Sequence, residues 1–393
     1  MHDDMIIPKT YSAENLKKGE EMRARIKVPK EIDSPFFFAR FLTANNGDVE
    51  KTTEKIYELF EHRKLLGYEN ATDLEIFTKV EIGRQTFERF NISLIDYGRT
   101  SNNVHVFVQK MEGTDLKEIM KVIPLSYVLH SYYMLQENFS RAMAHTERET
   151  GKPSSVVCIL DLKGLNLTDF LNPLSGPAQL ARLVVDVWAR HFSEHLCKLL
   201  LINPPGIISL MWQVTRRIID TNTAEKLAFL SSTDDLKKYL EVNVIPEEYG
   251  GTYRDDSGYA EPPESVCRPP KQIKKADHKN PDLFWTEYGL LKAPKSKSFS
   301  VKSHQSVELS CKSQGAGKLV WSFTSSGDIE FEILKKESGK ESNVWPKITL
   351  TSLKLPETGN IEISSGEYSL VLHNPSNTWF PVKINCSFEM FPM

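Results

Sequence analysis

At 393 residues the chain exceeds what one core ordinarily holds, because single hydrophobic cores stop growing near ~250 to 300 residues, so two or three domains are expected. A hydrophobic content of 40% and a charged content of 26% are those of a soluble globular protein, and a net charge of −3 excludes bulk nucleic-acid binding. The five cysteines, Cys158, Cys197, Cys267, Cys311 and Cys386, form no C-x-x-C pair and read as reduced, mostly buried thiols, although Cys311 and Cys386 fall within one domain.

The opening Met1-His2-Asp3-Asp4-Met5 lacks the apolar stretch of a secretory signal, so a cytoplasmic protein is expected, and the sequons at Asn70, Asn91, Asn138, Asn166 and Asn385 read as chance. Apolar runs stop short of ~18 residues, which leaves only peripheral contact with membranes. Over 33–68, Phe37, Phe41 and Leu42, then Val49, Ile56, Leu59 and Phe60, recur at three- and four-residue steps around an Asn45-Asn46-Gly47-Asp48 turn. Two short amphipathic helices are predicted there.

Val104 to Val108 alternates as a strand, 116–149 reads as one long helix, and 156–160 as the next strand, ending in Asp161-Leu162-Lys163-Gly164. About forty residues on, a second apolar run, Leu199-Leu200-Leu201-Ile202, leads into Asn203-Pro204-Pro205. Two such strands bracketing a helix make a βαβ unit, hence an α/β domain with a largely parallel sheet. Beyond lies a run rich in Ile207, Ile208, Leu210, Met211, Trp212, Val214, Ile218 and Ile219, too apolar for a narrow surface stripe, so a helix buried all round is one reading. Leu227 to Leu230 is a third strand candidate, 233–240 a helix, and Ile245-Pro246-Glu247-Glu248-Tyr249-Gly250-Gly251 a closing turn.

Prolines at 262, 263, 269 and 270 then mark a stiff linker. Between Arg268 and Lys302 nine Lys or Arg face three acids, a net of +6, a run that reads as a solvated hinge or as a contact for anionic lipid. After Lys302 short strands follow at 306–311, 319–324, 329–334, 366–373 and 382–391 with no helical pattern between them, which predicts a β-sandwich of jelly-roll or Greek-key kind.

Arg40-Phe41-Leu42, Asp48-Val49-Glu50-Lys51 and His62-Arg63-Lys64, with Asp161-Leu162-Lys163-Gly164, Ile202-Asn203-Pro204-Pro205 and the Tyr249-Gly250-Gly251 turn, resemble the CRAL-TRIO lipid-binding family, in its yeast phosphatidylinositol-transfer branch. Val320-Trp321-Ser322-Phe323, Asp328-Ile329-Glu330-Phe331 and Gly366-Glu367-Tyr368-Ser369-Leu370 with Asn374 resemble the GOLD domain. Together they are similar to the group that contains supernatant protein factor and the α-tocopherol-associated proteins. That resemblance implies a helical N-terminal unit at 1–75, an α/β CRAL-TRIO domain at 76–255, a basic linker at 256–280 and an all-β GOLD domain at 281–393. It further implies one lipid, a phospholipid or an isoprenoid-type lipid, held non-covalently without catalysis or cofactor. The residues from Ile207 to Ile219 become a gate helix that closes the pocket and touches the bilayer when open.

In the phosphatidylinositol-binding branch Glu194, Asp220 and Lys226 match headgroup positions, but His195 stands where that branch has Arg, and an imidazole cannot replace a bidentate guanidinium on phosphate. Asn166 and Thr168 match positions where phosphatidylcholine-binding relatives carry hydroxyls, and Thr168 keeps one. Glu194 and Lys226 also read as a solvated ion pair. The string His191-Phe192-Ser193-Glu194-His195 has the H-x-x-E-H form of some zinc peptidases, a hydrolase alternative without an evident third ligand. No G-x-S-x-G, G-x-G-x-x-G or phosphate-loop motif supports another enzyme class. The sandwich is expected to dock a protein or a membrane, with Trp345 or Trp379-Phe380 as exposed aromatics. A lipid-regulated adaptor without bulk transfer is the alternative to a transfer protein.

Overall fold

The computed structural model describes residues 5–95, 98–192, 194–206, 224–337 and 339–392. It divides into two compact units, one of Met1–Tyr57, Thr72–Asp115 and Ser131–Gln272, the other of Glu58–Ala71, Leu116–His130 and Ile273–Met393. Among the described residues no helix is long and apolar enough to cross a membrane.

The helices in chain order are α1 (Ala13–Arg23), α2 (Phe37–Ala44), α3 (Val49–Leu65), α4 (Asp73–Thr78), α5 (Glu81–Phe87), α6 (Leu116–Ile119), α7 (Leu125–Thr150), α8 (Thr168–Leu171) and α9 (Gly176–His191). The predicted pair at 33–68 is α2 and α3, separated by a turn in which Asn46 and Gly47 take φ of 55° and 76°. Short helix starts are fixed by side-chain oxygens: Ser12 accepts the Asn15 N–H ahead of α1, and Thr72 with Glu75 makes a reciprocal box ahead of α4. The helix expected over 116–149 is instead α6 and α7, because Pro124 has no N–H to donate and sits just ahead of the first turn of α7. Residues Thr233–Lys238 form a 3-10 helix rather than an α-helix, capped by Ser232.

Among the described residues six strands build the sheet of the first unit: β1 (Asn91–Ser93), β2 (Val104–Lys110), β3 (Ser155–Asp161), β4 (Leu196–Ile202), β5 (Leu227–Phe229) and β6 (Cys267–Arg268), in the order β5-β4-β3-β2-β1-β6. Strands β2 to β5 run parallel, with Cys158 beside Leu199 and Leu199 beside Leu227, while β1 and β6 add antiparallel edges. The edge strand β6 comes from the proline-bracketed stretch that reads as linker, where Cys267 is buried and pairs with Ser93. Two residues carry no periodicity, so this pairing left no mark in the pattern.

Eight antiparallel strands follow in the second unit: β7 (Lys297–Val301), β8 (Ser306–Ser313), β9 (Gly317–Ser325), β10 (Ile329–Glu337), β11 (Lys340–Leu350), β12 (Glu357–Ile363), β13 (Gly366–His373) and β14 (Val382–Pro392). They form two four-stranded sheets, β11-β10-β13-β8 and β12-β9-β14-β7, the expected sandwich. Trp321, Phe323 and Phe331 fill its core, and Trp345, expected as an exposed aromatic, is buried edge-on against Trp321 at 5.2 Å between centroids. Gly359 lies flat on the Trp321 indole, where any Cβ would come within 2.3 Å of the ring. Cys311 and Cys386 lie on strands of different sheets, and all five cysteines are free thiols.

Candidate functional site

Alternation along the parallel strands gives the first unit's sheet two unlike faces. Val104, Val106, Val108, Val157, Ile159, Leu200 and Ile202 point into a closed core with Leu236, Leu240 and Ile245. Residues of opposite parity meet the helices instead, with Phe107 5.3 Å from Phe139 of α7 and Phe139 5.7 Å from Trp188 of α9. On that second face Leu160, Leu199, Leu227 and Phe229 remain only half-buried. These side chains form an apolar row across β3, β4 and β5, with buried Leu201 between Leu160 and Phe229 and buried Cys158 beside Leu199.

The signature residues that mark this domain in the sequence turn out to hold the backbone. Asp161 accepts the Lys163 N–H and the Asn203 amide, each at 2.9 Å, on one oxygen and the Tyr249 hydroxyl at 2.8 Å on the other. One carboxylate thus ties the ends of β3 and β4 to the closing turn. Burial, and then the neighbouring Asp161 charge, push the Tyr249 hydroxyl far above its usual range, so it remains a donor at any physiological pH. Gly251 belongs to the same knot, since a Cβ there would collide with the Ile245 carbonyl at 1.9 Å.

A charged cluster stands at the N-terminal end of β4. Helix α9 ends at His191, and His195 follows in a turn whose N–H donates to the Phe192 carbonyl at 3.0 Å, while its own carbonyl accepts the Val156 N–H. The His195 ring is 3% exposed, packed edge-on against Phe192 and Phe41, with Nε2 3.0 Å from the Ser140 hydroxyl. Burial first, and then the positive charge of Arg40, drive its pKa well below the ordinary value, so the imidazole is neutral. Glu194 beside it is mostly buried and pairs with Lys9 at 3.2 Å. Arg40, wholly inside, pairs with buried Glu147 and lies 6.0 Å from the Tyr11 ring. Lys226 adds its charge to this group, and its carbonyl accepts the Leu199 N–H at 2.8 Å.

The structure therefore brings Glu194, His195 and Lys226 together and adds Arg40, conspicuous in the sequence only as a motif member, with Tyr11 and Glu147, which no sequence pattern marks. An arginine flanked by Phe37, Phe38, Phe41 and Leu42 on one helix was the available signal, since a charge inside an apolar run must find a partner. Asn166 and Thr168 are elsewhere: the Thr168 N–H and hydroxyl both donate to the Asn166 side-chain oxygen, at 3.2 and 2.7 Å, ahead of α8. They follow the C-terminal end of β3, whereas His195 precedes the N-terminal end of the parallel strand β4. One seven-residue strand, roughly 20 Å, separates the two sets. Ile207, Ile208, Leu210, Met211, Trp212, Val214, Ile218, Ile219 and Asp220 lie outside the described residues.

The zinc reading of the H-x-x-E-H string requires both histidines one turn apart on a single helix. With α9 ending at His191, His195 stands beyond it, and the string does not form that motif. Among the described residues no group of three or more His, Cys, Asp or Glu side chains is placed to hold a metal ion.

Residues 92–251 match the CRAL/TRIO domain. A CRAL-TRIO domain-containing protein of Caenorhabditis elegans, C34C12.6, is 27% identical over 91% of this chain and 90% of its own length. The phosphatidylinositol/phosphatidylcholine transfer protein SFH13 of Arabidopsis thaliana is 22% identical over 77% of this chain and 48% of its own. The SEC14 cytosolic factor of Kluyveromyces lactis is 23% identical over 60% of this chain and 76% of its own. The parallel strands and the knot of Asp161, Asn203 and Tyr249 lie within the stretch that matches the CRAL/TRIO domain, and the relatives that the chain resembles include Sec14-type proteins.

Proposed function

We propose that the protein binds one lipid and transfers it between membranes, with its acyl or isoprenoid part along the floor of Leu160, Leu199, Leu227 and Phe229. The observation that carries this reading is the half-buried apolar face on β3 to β5 with charged groups at one end. Burying each CH2 yields about 0.8 kcal/mol relative to water in a pocket as in a bilayer, so tails permit exchange without setting specificity. Selection falls to polar groups that a wrong headgroup would leave unpaired, at about 1 to 3 kcal/mol each.

Glu194 and Lys226, with Asp220, are the proposed headgroup contacts at one end of the floor, and Asn166 with Thr168 at the other. His195, buried and neutral, serves behind Glu194 and offers phosphate no charge. Residues from Ile207 to Ile219 are the proposed gate, the sandwich is a GOLD-type docking domain, and the work is binding rather than covalent chemistry. The protein is placed in the cytoplasm with transient association to intracellular membranes.

Solvent extraction of the purified full chain followed by mass spectrometry tests this. One stoichiometric lipid, and transfer of that lipid between vesicles, is expected. A stoichiometric lipid without transfer would make the chain a lipid-regulated adaptor, and neither co-purified lipid nor loading from vesicles would remove the reading altogether.

A further inference from the structure

The sandwich exposes an aromatic pair that its own core does not use. Trp379 is 99% exposed, the highest value for a large apolar side chain among the described residues, and its neighbour Phe380 is 83% exposed. Both stand in the 374–381 connection between β13 and β14, bracketed by Pro375 and Pro381.

This connection is tightly held at its base. Buried Asn374 donates its amide to the Val301 carbonyl at 2.9 Å and accepts the Ser376 N–H at 3.0 Å and the Ser376 hydroxyl at 2.6 Å. The backbone N–H of His304 donates to the Asn374 carbonyl, the Ser303 hydroxyl to the Ser376 carbonyl, and the His304 ring meets the Asn377 side chain at 2.6 Å. Thr378 closes the tip by donating to the Phe380 carbonyl at 3.1 Å. Two aromatic rings are thus presented to water on an ordered base, so little conformational entropy remains to be lost when they are covered.

Charge decides what covers them. Lys302 adjoins the tip through the pairing of Val301 with Val382, and Lys383 is the next residue on β14. Ser326 bonds to the Lys383 backbone and Ser325 to Ser352, which brings the 351–356 connection and its Lys354 to the same end. The four connections at this end, together with Lys383, hold three exposed lysines against one acid, Asp328. A convex pair of rings surrounded by lysines suits a soft anionic surface: aromatics settle at the headgroup level while lysines meet lipid phosphates and carboxylates.

We propose that the Trp379-Phe380 tip inserts into the interface of a bilayer containing anionic phospholipid, with Lys302, Lys354 and Lys383 against the headgroups. This deepens the membrane-exchange step of the function proposed above, and it is tested apart from the pocket. Full-length protein is sedimented with phosphatidylcholine vesicles, with and without phosphatidylserine. Trp379→Ser with Phe380→Ser lowers partitioning onto phosphatidylserine vesicles by about tenfold or more. Lys383→Gln lowers it by about fivefold, an effect that fades as salt rises.

Co-purified lipid stays at the wild-type level in these variants, which separates failure of the tip from failure of the pocket. Wild-type partitioning by the Trp379-Phe380 variant overturns the proposal. A loss of self-association in that variant, without vesicle binding by either protein, also overturns it and assigns the tip to a second copy of the chain.

Discussion

Glu357, the first residue of β12, presses its carboxyl against Ser126 in the first turn of α7, accepting the Ser126 N–H at 3.2 Å and the Ser126 hydroxyl. A helix N-terminus normally favours a carboxylate, but burial dominates here and pushes Glu357 up to about 7, against the pull of the two Ser126 bonds. The sign follows from linkage. Unfolded Glu357 loses its proton near 4.5 and folded Glu357 near 7, so the stabilisation is complete below pH 4.5 and is lost as pH rises through 7. Glu357→Gln removes the ionisation, accepting the Ser126 N–H on its amide oxygen and donating its NH2 to the Ser126 hydroxyl. The variant is expected to be about 2 to 3 kcal/mol more stable than wild type at pH 8, and no more stable at pH 4.5. Urea unfolding across that range measures the difference, and a constant gap at every pH would assign the effect to something other than this carboxyl.

Arg40 and Glu147 form a pair with side chains 4% and 0% exposed. Glu147 also accepts the Ser154 N–H at 2.8 Å. Removing one partner strands the other as a buried charge, so Arg40→Met is expected to cost about 3 to 5 kcal/mol. Arg40→Met combined with Glu147→Leu removes both charges and should recover a large part of that loss. Thermal unfolding of the two variants decides it: equal melting temperatures would mean that the pair contributes through shape and not through charge.

His195 invites replacement by arginine, the residue that the CRAL-TRIO resemblance implies for a phosphatidylinositol headgroup site. Its surroundings give the opposite expectation. The ring is wedged between Phe41 and Phe192, and Arg40 and Lys226 already make the site hostile to a further cation. His195→Arg therefore should lower stability by about 3 kcal/mol or more, without raising phosphatidylinositol loading. His195→Gln, neutral and able to reach Ser140, should fold nearly as well as wild type. A stable His195→Arg protein that loads more phosphatidylinositol would reverse this assignment.

How legible all this was depended on whether a residue acts through pattern or through contact. The alternating Val104 to Val108, the apolar run at β4 and the strand cores around Trp321 and Phe331 announce themselves by period, and they stand where the sequence predicts them. Strands β11 and β12 show no such period, because Lys340 to Asn343 are polar and Gly359, a residue that weakens strand patterns, is there to admit the Trp321 ring. Arg40 could be seen as an anomaly but not paired, since Glu147 lies 107 residues away. Asp161 and Tyr249 were conspicuous as motif members, and only their hydrogen bond shows that they hold the frame rather than the ligand.

The floor itself yields the sharpest functional contrast, because its two faces share strands and differ only in parity. Phe229 is half-buried on the face proposed to hold lipid, whereas Ile202 is completely enclosed in the opposite core. A carboxylate at Ile202 has no water and no partner, so Ile202→Asp should unfold the first unit outright. At Phe229 a carboxylate keeps part of its hydration in the empty protein but opposes an acyl chain directly. Phe229→Asp is accordingly expected to retain a folded circular-dichroism spectrum, with a loss of about 1 to 2 kcal/mol in stability, while lipid loading falls by about tenfold or more. If Phe229→Asp unfolds as Ile202→Asp does, that face is a second core. If it folds and loads normally, the hydrocarbon chain lies somewhere other than on β5.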